Sequence, residues 1–145
     1  MHITVIAGGI LKQGPLQSLV QQYEKRLSWD VSFKEIPEGP LQKIAASFLE
    51  KIPPNTFVIG LDEEGINYSS PGLASFIQQK QLGGFSHLCF LIGTADGLPE
   101  SLGAVIHQKM AFGKATWPHL LVRVLLMEQL YRAQQILKGH PYHRN

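Results

Sequence analysis

The sequence has almost no cysteine and no long apolar run. Its single cysteine, Cys89, allows no disulfide within the chain and no cysteine-based zinc site, and a reducing compartment suits it. No run approaches the roughly 18 apolar residues that a membrane span needs. The first residues also lack the basic and apolar pattern of a secretion signal. We therefore expect a cytoplasmic protein without a membrane partner or a metal.

The sequence also has no large excess of positive or negative charge. Lys and Arg number 13 and Asp and Glu number 11, which gives a net charge of +2. This mild excess permits an RNA partner but is weaker than the basic stripe typical of RNA-binding surfaces. Because 44% of the 145 residues are hydrophobic, the chain can bury one core. We expect a single domain over residues 1–145.

Strand-like and helix-like patterns alternate along the chain. Short β-branched runs predict strands, and apolar residues at helical spacing predict helices. Ser70 before Pro71 is expected to be the N-cap of the third helix. The alternation is typical of an α/β fold with a mostly parallel sheet and helices on both faces. The predicted strands are 3–7, 31–36, 56–61, 88–92 and 109–112, and the predicted helices are 16–27, 41–52, 71–82, 99–107 and 118–138.

Two loops at predicted strand ends are candidate ligand sites, because ligands of open α/β sheets bind at the carboxyl ends of strands. The first loop, 91–98, contains Gly93 and Gly97 but not the G-x-G-x-x-G spacing of a dinucleotide fold. A tight turn without a ligand explains it equally well. The second loop, 112–119, leads into a helix at Pro118 and offers free backbone groups. Its Trp117 could instead be a core residue.

The last predicted helix and the residues after it have an unusual composition. The helix is apolar over most of its girth, which indicates burial on several sides and suggests a partner subunit. Glu128 and Arg132 lie four residues apart and are expected to pair. The tail 139–145 concentrates Tyr142, His143 and Arg144, which can stack on bases, move protons and bind phosphates. A solvated end without a function is the alternative.

These segments together resemble the ribosomal RNA large subunit methyltransferase H family of the SPOUT superfamily. The resemblance spans nearly the whole chain and is strongest from Leu88 onward. The ordered series that carries it is Gly93 to Gly97, Thr116-Trp117-Pro118-His119, Leu121-Val122-Arg123-Val124, Glu128-Gln129-Leu130-Tyr131-Arg132-Ala133 and Pro141-Tyr142-His143-Arg144, with Tyr23-Glu24-Lys25-Arg26-Leu27 and Leu61-Asp62-Glu63-Glu64-Gly65 upstream.

The resemblance implies a SPOUT-type α/β knot, a trefoil formed by the C-terminal part of the chain. It also implies a homodimer that methylates N3 of pseudouridine 1915 in 23S rRNA, within the assembled ribosome, with S-adenosyl-L-methionine as methyl donor. Tyr142, His143 and Arg144 would be the catalytic residues, presented by the opposite subunit. The implied cofactor-binding residues are Leu61, Gly93, Phe112, Gly113, Lys114, Ala115, Thr116 and Trp117.

Two departures from the family pattern keep alternatives open. Thr94 stands where the family usually has a second glycine, and threonine disfavours positive φ, so the loop geometry is expected to differ. Trp117 stands where the family often has leucine. A non-catalytic RNA-binding dimer that has lost its cofactor is therefore the alternative function. A nicotinamide-dependent oxidoreductase is a second rival, but its glycine fingerprint and following acidic residue are absent from the sequence.

Overall fold

A computed structural model describes residues 1–144 of the chain, so Asn145, the end of the predicted domain and tail, lies outside the described residues. Five strands form one sheet in the order β2-β1-β4-β3-β5, and every neighbouring pair is parallel. The predicted α/β class with a parallel sheet is confirmed. The strands are β1 (His2–Gly8), β2 (Asp30–Ile36), β3 (Phe57–Asn67), β4 (His87–Ile92) and β5 (Gln108–Ala111).

Helices cover both faces of the sheet, as predicted. On one face α1, α3 and α4 share a core with alternate residues of the central strands, such as Ile3 and Val5. On the other face α2 and a short 3₁₀ turn, Glu100–Ala104, pack on Ile6 and Cys89. The helices are α1 (Pro15–Arg26), α2 (Leu41–Lys51), α3 (Ser70–Leu82) and α4 (His119–Leu137).

Strands β1 and β4 are buried on both faces of the sheet, which explains their continuous apolar sequences. Leu88, Phe90 and Ile92 of β4 face the α1 side, whereas Cys89 faces the α2 side. Cys89 is fully buried, as expected for a small hydrophobe, and this burial raises the pKa of its thiol to about 12. In residues 1–144, no helix combines the length and the apolarity that crossing a membrane requires.

Three local predictions are wrong in detail. Ser69 is the N-cap of α3, since its hydroxyl accepts a hydrogen bond from the Gly72 N–H, and Ser70 is already helical. The predicted helix 99–107 is only the 3₁₀ turn. Strand β3 runs on to Asn67, because a bulge between Leu61 and Ile66 lets the strand resume pairing with β5. This extension places an acidic segment beside the site described next.

Candidate active site

A cavity of about 890 Å³ opens at the carboxyl ends of three adjacent strands, β4, β3 and β5. It is lined by the loops that follow β4 and β5 and by the bulge of β3 at residues 61–64, near the edge where open parallel sheets bind ligands. Lys114 is exposed and does not line it. The predicted cofactor residues that do line the cavity are Leu61, Gly93, Phe112, Gly113, Ala115, Thr116 and Trp117.

The loop after β4 turns tightly at its two glycines. A Cβ on Gly93 would lie 2.4 Å from the carbonyl carbon of Gly97, so only glycine fits there. Gly97 has φ +85°, and its N–H donates to the Thr94 carbonyl at 2.9 Å. These contacts hold the backbone of the loop at the cavity wall.

Thr94 fits this loop without backbone strain. Among residues 1–144, only Asn55 is a non-glycine residue with positive φ, so Thr94 has an ordinary backbone conformation. Its side chain is buried because Gly8, at the end of β1, leaves room. A Cβ on Gly8 would lie 2.7 Å from Thr94 Cγ2. The expected difference of this loop from the family pattern stays a prediction.

The loop after β5 is attached to the extension of β3. Gly113, with φ +83°, donates its N–H to Asn67 Oδ1 at 2.7 Å. The Thr116 hydroxyl donates to Glu63 Oε2 at 2.6 Å. Trp117 is 43% exposed rather than part of the core, and its indole N–H donates to the Phe112 carbonyl at 2.8 Å. The second wall of the cavity is thus fixed by hydrogen bonds to β3.

The cavity has an acidic lining. One of its carboxylates, Asp62, lies 3.6 Å from Lys109, and the Glu64 N–H donates to the same carboxylate. Among the described lining residues, the carboxylates outnumber the lysine and the histidine. Such a lining attracts cations and repels phosphates. The charged or titratable lining residues are Asp62, Glu63, Glu64, Asp96, Glu100, Lys109 and His119.

The sequence analysis did not assign these acidic residues to the site. Their only signal was their position directly after a predicted strand, in the segment Leu61-Asp62-Glu63-Glu64-Gly65 that carries the family resemblance. The continuation of β3 through this segment depends on pairing with β5, which lies over 40 residues later. A local pattern therefore could not reveal it.

Tyr142 and His143 of the tail are bound to α4. The predicted pair is present, with Arg132 Nη2 2.6 Å from Glu128 Oε1. The Tyr142 hydroxyl donates to the same oxygen at 3.1 Å, and the Arg132 guanidinium lies 4.9 Å from the centroid of the Tyr142 ring. His143 Nδ1 is 3.1 Å from Arg132 Nη1. We call Glu128, Arg132, Tyr142 and His143 the tail clamp.

The clamp keeps Arg132 charged and Tyr142 neutral. The hydrogen bond to Glu128 raises the pKa of Arg132 above its usual value. Burial, followed by the charge of Glu128, raises the pKa of Tyr142 to about 12. Tyr142 therefore stays a neutral hydrogen-bond donor near neutral pH. Arg144 is exposed beyond the clamp.

The three predicted catalytic residues do not line the cavity of their own chain. Between the cavity and the clamp lies a second depression of about 590 Å³, bordered by Trp117 on one side and Glu128 on the other. Leu19 and Leu125 contribute apolar surface to it, and Leu19 is 39% exposed. One chain therefore holds the predicted cofactor residues and the predicted catalytic residues at separate places.

The sequence profile described as "Predicted SPOUT methyltransferase" matches residues 1–143. This match defines the class of the protein as a SPOUT methyltransferase. Proteins named ribosomal RNA large subunit methyltransferase H are similar over the full length: the one from Zymomonas mobilis is 43% identical over 144 residues, and the one from Erythrobacter litoralis is 42% identical over 146 residues. Each alignment covers 99% of both chains. The chain therefore belongs to the ribosomal RNA large subunit methyltransferase H family.

A solved structure supports the fold independently of close sequence similarity. The SpoU methyltransferase AviRb from Streptomyces viridochromogenes, solved in complex with the cofactor AdoMet, superposes with a TM-score of 0.52 at 11% identity. The superposition covers 93% of this chain and 58% of that chain. The likeness shows that the two proteins share a fold.

Proposed function

We propose that this chain transfers a methyl group from S-adenosyl-L-methionine to large-subunit ribosomal RNA, at N3 of pseudouridine 1915. The observation that carries the proposal is the cavity beside β4, β3 and β5, which collects seven of the eight predicted cofactor residues from the β3 bulge and the loops after β4 and β5. Membership of a family of rRNA methyltransferases supports the reaction and the substrate class.

The cavity suits this cofactor in size, backbone and charge. Its volume falls within the roughly 300–1,000 Å³ of small-molecule sites. Glycines at positions 93 and 113 carry no side chain, so the backbone of the two loops can approach a ligand closely, as an adenine edge or an amino-acid carboxylate requires. The acidic lining favours a sulfonium and an ammonium group and disfavours the pyrophosphate of a dinucleotide. When bound, the cofactor supplies an electrophilic methyl group.

The tail supplies the groups that the cavity lacks. N3 of pseudouridine carries a proton that must leave, and we assign its removal to His143, since imidazole titrates near neutral pH. Arg144 would hold a phosphate or the developing charge on the base, and Tyr142 would contact the base. General-base catalysis contributes roughly 100- to 10,000-fold. If water takes the proton instead, His143 only positions the nucleotide.

A second copy of the chain would bring the tail to the cavity. The depression between Trp117 and Glu128 and the incompletely covered apolar side chains of α4, such as Leu125, offer a surface for it. We therefore infer a homodimer in which one copy binds the cofactor and its partner presents the nucleotide. Two copies also enlarge the contact with RNA, which a chain of net charge +2 needs.

We also infer the C-terminal knot. Strand β5 lies at the edge of the sheet, yet His119, at the start of α4, contacts Gly9 beyond the end of β1. Residues 112–118 must therefore cross the ends of β3 and β4, as the threaded segment of a trefoil does. A crystal structure traced through this crossing would test the knot, and a chain that can be pulled straight from its ends would contradict it.

Methyl incorporation tests the proposed function. Free 23S rRNA, 50S subunits and 70S ribosomes that lack the modification would each be incubated with labelled S-adenosyl-L-methionine, and the methylated nucleotide would be mapped. We expect one methyl group on pseudouridine 1915, and we expect assembled ribosomes to be methylated in preference to free 23S rRNA. Cofactor binding should be measured by calorimetry in parallel. Absence of both binding and incorporation would support the non-catalytic alternative.

A further inference from the structure

Arg123, on the first turn and a half of α4, is a charged side chain placed inside the protein. It is 1% exposed, and among the described residues it is the largest of the fully buried side chains. Arginine is almost never fully buried unless it is paired. Its position between Val122 and Val124 on an apolar helix gave no sequence signal for this burial.

The guanidinium joins α4 to the ends of β1 and β2. Arg123 Nη1 donates to Glu35 Oε2 at 2.8 Å. Arg123 Nη2 donates to the carbonyls of Gly8 and Gly9, at 3.1 Å and 3.0 Å. Glu35 Oε2 also accepts a hydrogen bond from the Leu11 N–H at 2.7 Å. The pair therefore holds the start of the loop after β1 at two points, the Gly8–Gly9 carbonyls and the Leu11 N–H.

The end of β1 and the loop that follows it pack against the Gly93–Thr94 wall of the cavity. A Cβ on Gly8 would lie 2.6 Å from Thr94 N and 2.8 Å from the carbonyl carbon of Gly93, so the two loops are in direct contact. A Cβ on Gly9 would lie 3.0 Å from His119 Nε2. Because Gly93, Thr94 and His119 all line the cavity, any movement of the Gly8–Gly9 carbonyls reaches it.

Stability alone does not account for a buried arginine here. A buried ion pair is often no more stabilising than apolar residues of similar volume, because both charges must leave water. Within the described part of the chain, Arg123 Nε is moreover a buried nitrogen without a hydrogen-bond partner, which adds to this cost. An apolar residue would avoid the cost of burying a charge, but it could not hold two backbone carbonyls.

We propose that Arg123 is a positioning residue of the cofactor site, which fixes the Gly8–Gly9 carbonyls and through them the Gly93–Thr94 wall and His119. The proposal rests on the proposed function, since it assigns the cavity to the cofactor. Arg123 itself does not line the cavity. It acts through the loop, and its partner Glu35 compensates its charge.

The test separates positioning from stability by combining two substitutions. Arg123→Met keeps the volume but removes every donor, and the double variant Arg123→Met/Glu35→Leu removes the unpaired carboxylate as well. We expect the single variant to bind S-adenosyl-L-methionine about tenfold more weakly, a difference that corresponds to loss of about one hydrogen bond from a charged group. The double variant should regain part of the melting temperature lost in Arg123→Met but not the cofactor affinity, because the Gly8 and Gly9 carbonyls and the Leu11 N–H still lack these partners.

Two further variants keep the test interpretable. Arg123→Lys retains the charge opposite Glu35 but cannot span both carbonyls as the planar guanidinium does, so we expect an intermediate affinity. Ile77→Ala, in α3 far from these loops, should lower the melting temperature and leave the affinity unchanged. Recovery of affinity together with stability in the double variant would overturn the proposal, as would wild-type affinity in Arg123→Met.

Amide hydrogen exchange without cofactor gives a readout that does not depend on the reaction. Exchange at residues 9–11 and 93–97 should accelerate in both arginine-free variants and not in Ile77→Ala. If the wild-type chain binds no S-adenosyl-L-methionine, the proposed function fails, and the exchange data alone then decide whether Arg123 holds the loops. Unchanged exchange in Arg123→Met would overturn that role.

Discussion

The cavity and the tail clamp are built in opposite ways. The cavity is made largely of backbone: the β3 bulge and the loops after β4 and β5 surround it, and glycines at positions 93 and 113 set the paths of the two loops. The clamp is made of side chains on one helix and the segment that follows it, joined through Glu128. One region is suited to hold a cofactor and the other to contact a nucleotide. Their separation within one chain is the reason why we infer a second copy.

A substitution at Gly93 should break the cavity and leave the clamp intact, with the largest effect. In Gly93→Val the added side chain collides with the Gly97 backbone, and we expect cofactor affinity to fall by about 100-fold or more. Calorimetry measures the affinity. Gly39→Val is the matched control, because an added Cβ at Gly39 meets no atom within 4 Å. Equal affinity of the two variants would contradict the assignment of the cavity.

The converse substitution should break the reaction and leave cofactor binding intact. In His143→Gln we expect the single-turnover rate to fall by about 100-fold, the lower bound for general-base catalysis, with unchanged cofactor affinity. The pH profile of the rate should differ between the wild type and the variant, because the variant has no imidazole that can take the proton from N3. An unchanged pH profile with a small loss of rate would exclude His143 as the base.

A milder change should loosen the clamp without removing a catalytic group. Glu128→Gln removes the charge that pairs with Arg132 while keeping the size of the side chain. We expect about a tenfold lower rate at unchanged cofactor affinity, since charged hydrogen bonds contribute roughly 1.5–3 kcal/mol. Glu50→Gln on the exposed face of α2 is the control. An equal rate in both variants would show that the clamp does not serve the reaction.

The smallest effect is expected for the Tyr142 hydroxyl. Because the pKa of Tyr142 is about 12, the hydroxyl stays protonated and donates to Glu128 throughout the neutral range. Tyr142→Phe removes one hydrogen bond of roughly 0.5–1.5 kcal/mol, so we expect a loss of rate of a few-fold. Its pH profile should run parallel to that of the wild type between about pH 6 and 9. A profile that changes shape would assign a titrating role to this residue.

The sequence predicted most of the fold because its strands and helices follow local periodicity. The apolar run of β4 and the helical spacing in α4 fall within two residues of the observed elements. The longer β3 and the order of the strands depend on contacts between distant segments, which periodicity does not encode. The cap at Ser69 differs from Ser70 by one residue, which adjacent serines do not distinguish.

The sequence predicted the parts of the candidate site that consist of glycine-containing loops at the ends of strands. The loops at Gly93 and Gly113 follow apolar runs, so their location could be read directly. The burial of Arg123 could not be predicted from the sequence. An arginine within an apolar helix gives the same sequence pattern whether it faces solvent or pairs with Glu35 from β2, 88 residues away. The fit of Thr94 likewise depends on Gly8, whose proximity only the fold creates.

Mixed dimers test most directly whether the tail of one copy serves the cavity of the other. Gly93→Val chains and His143→Gln chains, each inactive alone, would be unfolded together, refolded and assayed for rRNA methylation. If the tail acts on the partner's cavity, a mixed dimer contains one intact site, and random pairing restores about a quarter of the wild-type activity. If each tail serves its own chain, no intact site exists in any dimer. Activity no higher than that of either variant alone would contradict the account.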